Sequence, residues 1–165
     1  MHVKTFPPLT VLYSTHCTSF DDLHQFGPVM AELYAEAGRR KAINGPLHWI
    51  YYDMDEHPGL FMLEIAIPIR KPFHSSRFGV KKLDMFRAIT FPHEGHWEHL
   101  PGSRLQIMKR LEENNIPVSH ECRELFLNID LEHPENNITE IQIGLEAIMP
   151  QTTHHAKKPL LPVHI

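Results

Sequence analysis

Hydrophobic and polar positions alternate along several stretches of this chain and recur at helical spacing along two others. Leu9 to His16 and Phe86 to Pro92, rich in β-branched and aromatic residues, each predict a strand. Two strand pairs are predicted further along, about 46–53 with 60–69 and about 122–130 with 138–147, joined by turns around His57-Pro58-Gly59 and His133-Pro134. A first helix carries Met30, Leu33 and Tyr34 as its apolar stripe up to Gly38; Asp21 and Asp22 suit its start, and Pro28 forces a kink or a fresh start. A second takes Pro101 in its first turn, Leu105, Met108 and Leu111 as its stripe, and stops at Asn114-Asn115. The class is α+β, and the order is strand, helix, strand, strand, twice.

The two halves also share residues. Glu56-His57-Pro58 and Glu64-Ile65-x-Ile67 recur 76 positions later as Glu132-His133-Pro134 and Glu140-Ile141-x-Ile143, while His16, Phe20 and Leu23 recur after 77 as His93, Trp97 and Leu100. An internal repeat of this length implies one unit used twice about a pseudo-two-fold, with the seam as the first place to look for a site. Residues 1–149 are expected to form one domain, with repeats at about 8–69 and 84–147 and residues 70–84 as connector. Residues 150–165, with three prolines and no periodicity, predict an irregular tail.

Side chains at i and i+2 share a face of a strand, so alternation assigns faces. Leu125, Leu127 and Ile129 are expected under a helix, as are Ile141, Ile143 and Leu145. Glu124, Phe126 and Asn128, with Glu140 and Gln142, would then point the other way. A shift of 76 puts Trp49, Tyr51, Ile65, Ile67 and Ile69 under the first helix and sets His48, Ile50, Tyr52 and Glu64 on the far face. A surface of carboxylate, imidazole, phenol and phenyl groups shared by two units suits a cleft for an organic ligand.

Composition narrows the function. Forty-two per cent hydrophobic residues over 165 positions supply the core of one ordinary domain. A formal charge of −4 with scattered Lys and Arg disfavours direct nucleic-acid binding. The beginning has no signal-peptide pattern and no apolar run spans a bilayer, so a cytoplasmic protein with no membrane role is expected. Cys17 and Cys122 read as two buried thiols. Among 14 histidines the best cluster is His93-x-x-His96-x-x-His99, but Pro92, Gly95 and Pro101 prevent a regular helix from presenting one face to a metal; neither metal nor cofactor is expected.

His93-x-Gly95-x-Trp97, Gly45-Pro46 leading into Ile50-Tyr51-Tyr52-Asp53, and Glu124-x-Phe126 occur in an order and spacing that resembles the GyrI-like small-molecule-binding superfamily, which includes effector-binding domains of AraC-type and MerR-type regulators. The resemblance covers about residues 8 to 147. It implies an eight-stranded curved antiparallel sheet with helices on one side and a pocket at the pseudo-two-fold, where an acidic residue at Glu124 meets cationic, lipophilic compounds among aromatic rings. Phe126 departs from the family's usual Tyr and lacks its hydroxyl. No helix-turn-helix precedes residue 8, so a stand-alone binding protein is expected, monomeric or homodimeric. Its ligand would be lipophilic, aromatic or cationic, held by Glu124, Phe126, Trp97, Phe20, Tyr52, His48, Ile50 and His96, with Trp49 in the core. One alternative is a hydrolase of strained electrophilic natural products in which Glu124 activates water. Another is a protein-interaction role resembling gyrase inhibitors.

Overall fold

The computed structural model describes residues 2–57 and 59–146, so the turn residue Pro58 and the tail 150–165 lie outside the described residues. Eight strands form one antiparallel sheet: β1 (His2–Phe6), β2 (Leu9–Thr18), β3 (Leu47–His57), β4 (Leu60–Pro68), β5 (Gly79–Leu83), β6 (Phe86–Glu94), β7 (Val118–Asn128) and β8 (Ile138–Leu145). Two helices, α1 (Gly27–Arg39) and α2 (Leu100–Glu113), interrupt the strands, each preceded by a 3-10 segment, Phe20–Phe26 and Trp97–His99. The strand order is β1-β6-β8-β7-β3-β4-β2-β5, so β7 and β3, one from each half of the chain, lie side by side at the middle of the sheet.

Two strands lie outside the predicted pattern. β1 precedes the expected start of the first unit and pairs with β6; β5 lies inside the expected connector and pairs with β2. Both are five-residue edge strands, four of β1's five residues are exposed, and short exposed edges carry little hydrophobic alternation. Each half therefore runs strand, strand, helix, strand, strand.

The helices begin where proline permits. Pro28 and Pro101 occupy first-turn positions, where a missing N–H leaves no hydrogen bond unmade, so Pro28 marks a fresh start after the 3-10 segment. Leu33 and Ala37 are buried from α1, as are Leu100, Arg104 and Leu111 from α2. The expected stripe of α2 needs correction. A spacing of three drifts around a 3.6-residue helix, which leaves Leu105 72% exposed; the inward face follows Leu100, Arg104, Ile107, Met108 and Leu111. A charged residue thus sits within an apolar stripe.

The faces of β7 also differ from expectation. Directly paired residues of an antiparallel ladder point to the same side, and the pairs are Leu47 with Phe126, Trp49 with Glu124 and Tyr51 with Cys122. Ile65 pairs with Trp49 and Ile141 with Glu124, so Glu124 and Phe126 lie on the helix-covered face. Leu125 lies on the other side, paired with His48 and Glu140, and Leu127 is 54% exposed rather than under a helix. Trp49 and Glu124 are 75 positions apart, whereas a shift of 76 maps Glu124 onto His48. A slip of one residue exchanges the two faces of a strand.

The main core therefore fills the space between helices and sheet, from Leu12, Leu33 and Tyr51 through Ile65 and Ile67 to Leu111, Ile141 and Ile143. A smaller cluster on the opposite face joins Val11, Ile50, Ala66 and Leu83, with Tyr13 and Tyr52 packed against it. Cys122 is buried but Cys17 is exposed, which corrects the expectation of two buried thiols.

Candidate functional site

A cavity of about 450 Å³ opens on the helix-covered face above the β3–β7 pair. The 3-10 segments and first helical turns of both halves frame it. Phe20, Leu23, His24, Gly27 and Met30 come from one side, and Trp97, Glu98, Leu100, Pro101 and Arg104 from the other. Trp49 and Tyr51 on β3, with Glu124 and Phe126 on β7, form its floor. The size suits one drug-sized molecule.

Two groups of aromatic rings make the walls. Trp97 meets Phe126 edge-on at 5.2 Å, and Phe126 meets Trp49 edge-on at 5.6 Å. Phe20 stacks on Tyr51 at 6.4 Å and leans on Phe61 at 4.7 Å. Such offset and edge-on pairs are the favoured arrangements of aromatic quadrupoles, and they hold flat surfaces ready for a flat or lipophilic guest.

Beneath these rings lies a buried ionic group. Glu124 is 1% exposed; its Oε1 accepts from the Arg104 guanidinium, and its Oε2 accepts from the Tyr51 hydroxyl at 2.7 Å. The Arg104 guanidinium also lies 4.4 Å from the Tyr51 ring centre and 5.1 Å from that of Phe20. Burial opposes the charge on Arg104, but the Glu124 carboxylate more than compensates and raises its pKa further above the ordinary arginine range. Burial, reinforced by Glu124, also pushes the Tyr51 hydroxyl well up, so it remains a proton donor. The neighbouring Cys122 thiol is pushed up to about 12 by burial and is unreactive at neutral pH.

Of the residues singled out from the sequence, Glu124, Phe126, Trp97 and Phe20 line this cavity. His48, Ile50 and Tyr52 do not, because they alternate with Trp49 and Tyr51 and point to the opposite face. His96 is exposed outside the cavity, 5.9 Å from the His99 ring. His93 is buried and held by Ser103 Oγ at 3.0 Å and the His96 carbonyl at 3.1 Å. Trp49, assigned to the core, is both core and cavity floor. Tyr51 and Arg104 were not foreseen as site residues. The signal for Arg104 was its place at i+4 from Leu100 in an apolar stripe, where a lone charge requires a buried partner.

The sequence profile of the GyrI-like small molecule binding domain matches residues 1–146. The chain belongs to this family. No curated protein sequence matches it. Among solved structures it is similar to the EcmrR C-terminal domain, at 16% identity over 89% of this chain and 97% of that one, with a TM-score of 0.70. It is similar to SAV2435 bound to tetraphenylphosphonium, at 13% identity over 93% and 98%, again with a TM-score of 0.70. It is also similar to a hydrolase encoded by lin2189 from Listeria innocua, at 11% identity over 88% and 91%, with a TM-score of 0.59. At these identities the likeness establishes a common fold. No described helix is long and apolar enough to cross a membrane.

Proposed function

We propose that this GyrI-like domain captures a lipophilic, aromatic small molecule in the cavity above β3 and β7. The observation that carries this reading is the convergence of Phe20, Trp49, Tyr51, Trp97 and Phe126 on one open space of about 450 Å³. Four of these five, Trp49, Tyr51, Trp97 and Phe126, are packed into the main core yet still face the space, so a guest would find area without requiring the core to open. SAV2435, of the same fold, is bound to tetraphenylphosphonium, whose aryl rings agree with the aromatic lining of this cavity; its positive charge has no free buried carboxylate to meet here, because Glu124 is engaged by Arg104.

Binding is favoured over catalysis by Glu124. Both of its oxygens are engaged, by Arg104 and Tyr51, whereas a general base must present a free oxygen to the attacking water. The hydrolase-named relative therefore contributes its fold to this argument and not its chemistry.

The test uses the chain's own probes, because its two tryptophans, Trp49 and Trp97, both line the cavity. Lipophilic aryl compounds should quench or shift tryptophan emission and raise the unfolding temperature together, with about 2.7 kcal/mol of stabilisation at a hundredfold excess over Kd. Trp97→Ala should weaken binding about tenfold or more, while Leu131→Ser, at a 77% exposed position away from the cavity, should leave it unchanged. The reading fails if no aryl compound produces both signals, or if Trp97→Ala binds as well as the native chain.

A further inference from the structure

A cation already occupies the place that an organic cation would take. The Arg104 guanidinium is ion-paired with Glu124, lies over the faces of Tyr51 and Phe20, and is 4% exposed. Carboxylate below and aromatic faces around are the elements that bind a quaternary or aryl cation, and here they are satisfied from within the chain. The other carboxylate at the cavity, Glu98, has a 73% exposed side chain at the rim, where water screens it.

The buried polar atoms left unpaired at the cavity are donors. Trp49 Nε1, Trp97 Nε1 and Arg104 Nε are buried with no hydrogen-bond partner among the described residues, and all three belong to residues that line the cavity. Indole and guanidinium N–H groups donate and do not accept. An unpaired buried donor is costly, so a guest that brings an acceptor within reach of any of them gains where one that brings a cation does not.

We propose that Arg104 is a specificity-determining residue, a built-in cation that closes the Tyr51–Glu124 site to organic cations and turns the cavity toward neutral or anionic aryl ligands that carry hydrogen-bond acceptors. A second cavity of about 390 Å³ lies on the other side of Arg104 and shares Phe20 and Pro101 with the first, so Arg104 is also the partition between two spaces. A cationic guest must break a buried ion pair and drive the guanidinium into that second space. A neutral or anionic guest leaves the pair intact. This inference rests on the cavity being the binding site.

The experiment compares three aryl probes of similar bulk and different charge, tetraphenylphosphonium, triphenylphosphine oxide and tetraphenylborate, by tryptophan quenching in sodium buffer. The native chain should bind tetraphenylborate and triphenylphosphine oxide at least tenfold more tightly than tetraphenylphosphonium. Arg104→Met keeps the bulk of the stem and frees Glu124, so the order should reverse, with tetraphenylphosphonium gaining tenfold or more. Glu124→Gln leaves Arg104 as an uncompensated cation, so tetraphenylborate should gain over the native chain. Should Arg104→Met not fold, the native chain and Glu124→Gln still decide the matter by their charge order. Tetraphenylphosphonium binding to the native chain as tightly as tetraphenylborate would overturn the inference and leave the cavity reading standing. Failure of all three probes to bind the native chain would instead remove the cavity reading itself.

Discussion

The two faces of the central β3–β7 pair are built from alternate residues of the same strands, yet they handle charge differently. On the helix-covered face one ion pair, Arg104 with Glu124, is sealed at 5% and 1% side-chain exposure. On the opposite face the pairs reach water. Lys81, its side chain 35% exposed, holds the 3% exposed Glu64 at 2.5 Å, and the 4% exposed Arg123 holds Glu121, 24% exposed, at 2.6 Å, so each of these pairs reaches water through one member. Lys4 and Glu140 are more solvated still. A sealed charge depends wholly on its partner, whereas a solvated one exchanges its partner for water at little cost. On the proposed reading, the sealed pair is where a ligand's charge would be read.

The comparison would break first at Glu124. Removing this carboxylate strands the buried guanidinium, so Glu124→Ala should cost about 3–5 kcal/mol in urea unfolding. A loss under about 1 kcal/mol would mean that Arg104 finds water when its partner goes, and that the two faces do not differ. Replacing both members, Arg104→Met with Glu124→Leu, should recover most of the loss.

Titration sharpens the contrast next, on the opposite face. His48 is buried there, with its Nδ1–H donating to the Pro46 carbonyl at 2.8 Å, and burial pulls its pKa down to about 4 despite that hydrogen bond. Below the ordinary value of 6.5 the unfolded chain takes up a proton that the folded chain refuses. Stability is thus fully present above pH 6.5 and declines as pH falls toward 4, by up to about 3 kcal/mol. His48→Gln should flatten the profile between these limits, measured as unfolding free energy against pH. An unchanged slope would place the titration elsewhere.

Smaller effects follow. Tyr51→Phe removes one charge-assisted hydrogen bond to Glu124 and should cost about 1.5–2 kcal/mol by thermal or urea unfolding. Lys4→Ala, which breaks a solvated pair at 3.4 Å, should change stability by less than about 0.5 kcal/mol. Equal losses for the two would erase the distinction between the faces.

Local pattern was sufficient for much of this molecule. The six longer strands and both helices follow from alternation, apolar spacing and the first-turn positions of Pro28 and Pro101, because these are decided by a residue and its near neighbours. The GyrI-like likeness was legible in the order of Gly45-Pro46, His93-x-Gly95-x-Trp97 and Glu124-x-Phe126, and with it Glu124, Phe126, Trp97 and Phe20 as residues to examine. The short edges β1 and β5 were not, since each gains its place by hydrogen bonding to a strand 66 to 88 positions away.

Only the tertiary structure decided which way the site faces. Alternation says that Glu124 and Leu125 point apart but not which of them meets the helices; that depends on whether β7 pairs Glu124 with Trp49 or with His48, and the difference is one residue of register. The same pairing carries Tyr51 to Glu124 across 73 positions, and the packing of α2 brings in Arg104 from 20 positions away. An ion pair has no local sequence signature, because Coulomb attraction depends on distance in space and on burial, and both exist only once sheet and helix have come together.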